Sequence, residues 1–412
     1  MRIIISIWFV VAAPAGAVDW HSAQSVAHAA AEVSPSLLAL KSEIAAARER
    51  VISAGSLPNP MLMGGVQNQQ VDLSIDRQMT MYMVGASQTI TRGSRRDALR
   101  TAAQLDVERL EREHDAQRAE IERDALMAYF DAAAAQSEAE AADEIVKLAK
   151  SIAEAARVRY ETGAAVQSDI IRARLQESDV RHQLLTLRGR RQQAIARLVA
   201  MLQLPADTSI PAFAMQHEHE AQGEQASVPE STPAIAALEA EVRRADEEIR
   251  LAKLATRPDW NLEASYGVRP YEKDVISVVG RIELPIRKKT MIEPRIREAI
   301  ARREAALKQI DVLRQQLRGE LGVAAAIRSE AREQIALHVN ELVPQARLGF
   351  ESALGSYQAG KATFESTLAS LQSYLTLNID YYEFLRQERQ ANANIDAIRR
   401  GARSGASIGV MR

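Results

Sequence analysis

The chain repeats itself at about half of its 412 residues. Ser34-Pro35, followed by Leu37, Leu40 and Glu43-Ile44, recurs as Thr232-Pro233, followed by Ile235, Leu238 and Glu241-Val242, an offset of 198 residues. Asn59-Pro60 recurs as Arg257-Pro258 at that same offset, and Tyr160-Glu161-Thr162-Gly163 as Tyr357-Gln358-Ala359-Gly360 at 197. Three landmarks in one order at nearly one spacing define a duplicated half. Solenoid repeats of roughly 20 to 50 residues are far shorter.

Each half reads alike. A helix of modest length starts at a Ser/Thr cap with Pro at its first position (Ser34-Pro35, Thr232-Pro233) and stops before Pro58 or Pro258. Stretches with strand character follow, at about 61–91 with a polar turn at Asp72 to Arg77, and at about 259–286 with a turn near Arg269-Pro270. Very long helical patterns come next, about 94–161 and 290–357. At 1.5 Å per residue each would make a helix of roughly 100 Å, too long for a compact domain. Tyr-x-x-Gly breaks each pattern, because Gly163 and Gly360 can take the left-handed conformation that ends a helix. A last helix returns, to Leu204 before Pro205 and to Arg400 before Gly401. Pro344 falls inside the second long pattern and has no counterpart in the first, so a kink should set the second half apart. The expected organisation is therefore a first repeat over 18–205, a linker over 206–230, a second repeat over 231–400 and a tail over 401–412.

Residues 1–17 read as an export signal. Arg2 supplies a positive start, Ile3 to Ala13 an apolar run, and Ala15-Gly16-Ala17 the small-x-small pattern of a cleavage site before Val18. The run is well short of the ~20 residues that span a bilayer as a helix, and no later run reaches that length.

Composition narrows the function. Aromatics make up only 4% of the chain, against 26% charged residues, as suits long helices better than thick globular cores. With no cysteine there is no disulfide, thiolate metal site, Cys nucleophile or lipid on an N-terminal Cys. A net charge of −2 speaks against a nucleic-acid partner. No HExxH, Walker loop, GxSxG or Gly-rich dinucleotide turn occurs, so neither an enzyme nor a cofactor is expected.

In Ile276, Val278, Gly280, Ile282 and Leu284 every second residue is apolar or Gly, while Ser277, Arg281 and Glu283 lie between. This period fits a membrane-barrel strand with one face in lipid and one toward water, and also a half-buried strand of a soluble sheet. Export and the long helices favour the barrel. Four strands cannot close alone, since closed barrels start near eight strands and open edges are not tolerated in lipid, so several protomers must share one barrel.

These features resemble the TolC-like outer membrane efflux proteins, and among them the heavy-metal, CzcC-like branch. The resemblance covers Val18 to Arg400 and rests on the duplicated Ser/Thr-Pro helix, Leu57-Pro58-Asn59-Pro60, Val84 to Gln88 leading to Arg92 to Arg95, and the two Tyr-x-x-Gly turns. It implies a mainly α fold with a small β part: a long periplasmic α-helical barrel, and four strands per protomer in a shared trimeric outer-membrane β-barrel. It implies a homotrimer set in outer membrane lipid, docking at a tip of about 160–170 and 357–367 to a periplasmic adaptor and an inner-membrane pump of RND type. The cargo would be divalent heavy-metal cations, with small organic toxic compounds as the alternative. The opposing class is a periplasmic structural or adaptor coiled coil without a barrel.

In that family an acidic residue commonly follows the tip Gly by six positions, near the periplasmic aperture. Asp169 matches. The second half departs, with Ser366 at that position and Glu365 one residue earlier, a rotation of about 100° on a helix. Asp169 and Glu365 are therefore aperture candidates, and Tyr160, Gly163, Tyr357 and Gly360 candidates for turn formation and adaptor contact. Met61, Met63, Met79, Met81 and Met83 recur at alternate positions; thioethers bind soft ions, but aligning Gly85 with Gly280 would put Met79, Met81 and Met83 toward lipid. His217 to Glu220 could hold a divalent cation but reads as a solvated loop. Arg92, Arg95 and Arg96, with Arg287, Lys288 and Lys289, should mark the membrane edge.

Overall fold

The computed structural model describes residues 18–68, 79–208, 210, 211, 213, 215, 229–270 and 272–402. The expected export signal, the Asp72 to Arg77 turn, His217 to Glu220 and residues 403–412 lie outside these. The order of elements is α1 (Ala23–Val33), α2 (Pro35–Ala54), β1 (Met61–Gln67), β2 (Met81–Ile90), α3 (Gly93–Glu161), α4 (Gln167–Met201), α5 (Pro233–Leu254), β3 (Trp260–Val268), β4 (Val275–Ile282), α6 (Glu293–Leu337), α7 (Val343–Gln358) and α8 (Phe364–Arg400). The chain is mostly helical, with one small sheet.

α1 was not foreseen. Ser22 caps it by accepting from the Ser25 N–H at 3.3 Å, and Ser34 ends it just before Pro35 opens α2. Proline suits that first position because the N–H it lacks would have no partner there. Ser34 directs its hydroxyl to Ser36 Oγ, at 2.9 Å.

α3 is one unbroken helix of 69 residues. Its counterpart opens with a π-helical turn at Lys288–Ile292 and is interrupted by another at His338–Leu342. The second turn comes immediately before Val343-Pro344. Proline has no N–H to donate and its ring crowds the carbonyl four residues back, so the helix widens there and Val343 N–H reaches the His338 carbonyl, five residues back. The distinction expected from Pro344 takes this form.

The chain divides into two units. One comprises residues 40–114 and 234–313 and contains the sheet, a meander in the order β1-β2-β3-β4 with every neighbour antiparallel. In it α2 packs on α3 through Ile44, Ala47 and Leu110. Arg48–Glu111 (2.6 Å), Arg243–Glu108 (2.7 Å) and Arg303–Asp246 (2.6 Å) tie its helices pairwise.

The other unit comprises residues up to 39, 115–233 and 314 onward. One cluster joins α3, α4, α7 and α8 through Ile145, Ile152, Val180, Leu184, Phe350 and Leu371. A second joins α1, α3 and α4 through Val26, Leu126, Tyr129 and Leu198. Small residues such as Ala132 and Ala133, both 1% exposed, let these helices approach closely. Part of the expected linker belongs to this packing. Phe213 stacks on Tyr129 at 4.5 Å between centroids, and Met215 N–H donates to Ser137 Oγ at 2.9 Å.

Candidate channel site

The sheet sorts its side chains by polarity. Pairings such as Ala86 with Ala264 and Tyr266 with Ile276 put Leu62, Val66, Tyr82, Val84, Trp260, Leu262, Tyr266, Val268, Ile276, Val278 and Ile282 on one face. All of these are exposed, Val278 and Ile276 at 74% each. Water would penalise such a face at roughly 25 cal/mol per Å² of apolar surface; lipid would not. The opposite face carries Gln67, Ser87, Thr89, Asn261, Glu263, Ser265, Ser277 and Arg281, with Val275 and Val279 between them. There Asn261 donates to Thr89 Oγ1 at 3.1 Å, and Arg281 pairs with Glu263 at 2.6 Å. No helix among the described residues is long and apolar enough to cross a membrane.

This register corrects one expectation. Met81 and Met83 lie on the polar face with Ser87 and Glu263, as do Met61 and Met63 through the pairs Met61–Ser87 and Met63–Gly85. Aligning Gly85 with Gly280 had put Met81 and Met83 toward lipid. Because strand side chains alternate, a slip of one residue exchanges the faces, and only the pairing fixes the choice. Met79 precedes β2 and is exposed.

The basic residues flanking the strands turn inward in part. Arg92 donates its N–H to Asp259 Oδ1 (3.1 Å) and its Nε to the Pro258 carbonyl (3.0 Å), and Arg95 reaches Asp259 Oδ2 at 2.8 Å. They thus tie the start of α3 to the start of β3.

The two Tyr-x-x-Gly segments fold alike. Gly163 (φ 73°) and Gly360 (φ 78°) are left-handed. Gly163 N–H donates to the Tyr160 carbonyl (2.9 Å) and Ala164 N–H to the Arg159 carbonyl (2.7 Å); Gly360 and Lys361 repeat this with Tyr357 (3.0 Å) and Ser356 (2.8 Å). Nested bonds of this kind satisfy the last carbonyls of a helix and need an αL residue.

The tyrosines part company. Tyr357 is 2% exposed, packed edge-on to Phe364, whereas Tyr160 is 45% exposed. Burial raises the Tyr357 phenol above its ordinary value, with the charge of Asp169 adding to this and Arg159 opposing it. Asp169 thus makes itself felt across the repeat boundary from the first turn of α4. Glu365 occupies the first turn of α8, which Thr363 caps by accepting from Ser366 N–H (3.3 Å); the matching Val166 offers no side-chain cap. Both carboxylates sit where the N-terminal helix dipole favours them.

Two arginines that sequence reasoning passed over join the repeats at this tip. Arg159 places its guanidinium carbon 4.5 Å from the centre of the Tyr357 ring and donates to the Tyr357 carbonyl and to that of Ala164 (3.0 Å). Arg172 on α4 donates to Glu365 Oε1 at 2.7 Å. On a charged helix surface neither had a distinguishing pattern; the repeat offset, which aligns the two turns, was the signal that could have found them. Glu365 is therefore a paired carboxylate, while Asp169 acts on the Tyr357 phenol through its charge.

Residues 26–203 match the family model described as outer membrane efflux protein. The chain is similar in structure to the outer membrane protein VceC of Vibrio cholerae, at a TM-score of 0.78 and 18% identity over 92% of this chain and 96% of that one. A membrane protein of Pseudomonas aeruginosa superimposes at a TM-score of 0.81 and 20% identity over 93% and 91%. The open-state MtrE outer membrane channel of Neisseria gonorrhoeae does so at 0.75 and 17% over 93% and 92%. The family model covers less than half of the chain, and the solved structures share its fold. No curated protein sequence matches the chain. The matched pattern spans the first repeat, from α1 to the end of α4, and the structural likeness extends the fold to the second. Channels of this family are ducts rather than enzymes.

Proposed function

We propose that this chain is the outer membrane exit duct of a tripartite efflux system, conducting passively what an inner-membrane pump delivers. The observation that carries the reading is the sheet: four strands with an exposed apolar face, a polar opposite face, and outer strands β1 and β4 each paired on one side. Open edges are not tolerated in lipid, so β4 of one protomer pairs with β1 of the next, and three protomers close a barrel of about twelve strands. The long helices, apolar along their contacts and polar elsewhere, form the periplasmic wall. Asp169, Tyr160 and the Arg172–Glu365 pair belong to the tip where aperture and adaptor contact are placed, with an RND-type pump beyond.

Metal cations are the preferred cargo, as in the heavy-metal branch, because the tip presents carboxylates and the inner strand face is largely polar; organic toxic compounds are the second reading. Fractionation tests the duct: a heat-sensitive trimer in outer membranes is expected, and a soluble periplasmic monomer would refute it. Deletion should sensitise cells to Zn, Co, Cd, Cu or Ag salts. Unchanged metal tolerance with raised drug sensitivity would reverse the order of the two cargoes.

A further inference from the structure

Five of the eleven methionines fall between residues 61 and 83, and the register collects four of them, Met61, Met63, Met81 and Met83, on the polar face of two adjacent strands. They alternate with glycines. Met63 is directly opposite Gly85, and Met83 is opposite Gly65 on one side and Gly267 on the other. At Gly65 a Cβ would meet nothing, so open space lies beside the Met83 side chain. At Gly267 a Cβ would overlap Met81 Sδ, so the thioether occupies the place a side chain would have taken. Met63 and Met83 are diagonal neighbours, a separation of roughly 7 to 8 Å between backbones that two long side chains can close.

A purely lipid-facing or packing role would put these residues on the other face, among Val84, Leu262 and Val278. That face also holds Val275 and Val279, but four of its apolar side chains are thioethers gathered on β1 and β2. Thioether sulfur is soft and polarisable, binds weakly to hard divalent ions, and selects d¹⁰ monovalent cations such as Cu(I) and Ag(I).

The geometry points to a soft-cation site: Met61, Met63, Met81 and Met83 form a thioether patch on the lumen face of the barrel that takes Cu(I) or Ag(I) in passage. The lumen assignment rests on the duct reading above, and the site names a monovalent soft ion where the sequence pointed to divalent ones. Gly65 leaves open space beside Met83, the register sets the four residues as a ladder in the order Met61, Met63, Met83, Met81, and three protomers present three such ladders to one lumen. A passive duct needs binding weak enough to release, which thioethers without thiolate provide.

The probe is Ag(I), titrated as nitrate in chloride-free buffer into the detergent-solubilised full-length protein by calorimetry. The comparison is a variant with all four residues changed to Leu, which keeps volume and removes sulfur. Binding that weakens about tenfold or more in the variant is expected from loss of the ligand atoms. No binding by the wild type, or equal affinity in the variant, overturns the site. A second readout needs no variant: in protein carrying ¹³C-methyl methionine, Ag(I) should shift the signals of these four methyls. Shifts confined to Met127, Met201, Met215 and Met291, or no shift at all, overturn it. Potassium conductance in planar bilayers judges the duct separately. A conducting trimer without Ag(I) binding loses only the site, and binding without conductance loses only the duct.

Discussion

At position 203 the chain holds glutamine where the backbone is left-handed, at φ 56°. Gln203 N–H donates to the Ala200 carbonyl (3.2 Å) and Leu204 N–H to that of Val199 (3.0 Å). The residue 198 positions later is Gly401, at φ 97°, closing α8 with the same nested bonds. The repeat therefore has a fourth landmark, invisible in sequence because Gln and Gly do not align by type. A side chain in αL costs about 1 to 2 kcal/mol, and glycine gives back about 0.5 to 1 through its looser unfolded chain. Gln203→Gly should stabilise by roughly 0.5 to 1 kcal/mol in chemical denaturation. Gly401→Ala should cost about 2 kcal/mol or more, since its Cβ would run into the Pro233 ring as well. A destabilised Gln203→Gly would refute the strain argument.

Glu138 supplies a second test at this scale. It is 4% exposed, on a cavity of about 370 Å³ shared with Asp131, Arg190, Arg197, Glu383 and Arg386. Burial pushes its carboxyl up to about 7, Glu383 adds to this, and Arg190 and Arg386 oppose it. The unfolded chain titrates near the ordinary value of 4.5. Between those two values the folded protein keeps a proton that the unfolded chain has lost. The stabilisation is complete below the lower value and disappears as pH rises through the upper one. Wild type should lose about 1 to 3 kcal/mol across this window. Glu138→Gln should flatten that dependence, as read from denaturation midpoints at about pH 5 and about pH 8. Equal slopes would count against the buried-carboxyl account.

Among the elements, what the sequence disclosed follows physical rules with short range. Gly163 and Gly360 end helices because αL backbone favours glycine, and Pro344 disturbs a helix because it lacks an N–H; both were readable in advance. The boundaries of α3 and of the strands came from periodicity and turn residues in the same way. The faces of β1 and β2 did not, since their methionines, apolar by type, share a face with Gln67 and Ser87, glycine occurs on both faces, and only hydrogen-bonded pairing with β3 decides. Nor did the links at the tip, where Arg159 and Arg172 look like any other charged helix residues until the two repeats meet. The Arg172–Glu365 pair is 53% and 77% exposed in its side chains, and exposed pairs contribute only about 0 to 1 kcal/mol. Arg172→Ala should therefore leave the unfolding midpoint almost unchanged. Its effect belongs to the tip itself: conductance of the closed channel should rise, and the charge-swapped pair Arg172→Glu with Glu365→Arg should restore it. A large fall in stability, or conductance indifferent to both changes, would place the pair outside the aperture.

For the whole molecule the decisive property is that one thin sheet has two solvents. On the proposed duct reading each protomer offers its apolar strand face to lipid and its polar face to a shared lumen, which requires several copies to close on one another. Neighbouring residues in one strand test this most directly. Val278 lies on the apolar face opposite Ala264, and Ser277 on the polar face opposite Ser265. An arginine on the lipid face near the bilayer midplane costs about 2 to 4 kcal/mol per strand position, whereas the lumen face tolerates charge. With three copies in one barrel that penalty is counted three times. Val278→Arg should abolish the heat-sensitive trimer in outer membranes and leave the chain unassembled. Ser277→Arg, one residue away and with the same added charge, should assemble normally and shift the ion selectivity of the pore toward anions in bilayer recordings. Reversal of the two outcomes would mean that the strands face the other way, and equal tolerance would mean that the sheet does not enter lipid at all.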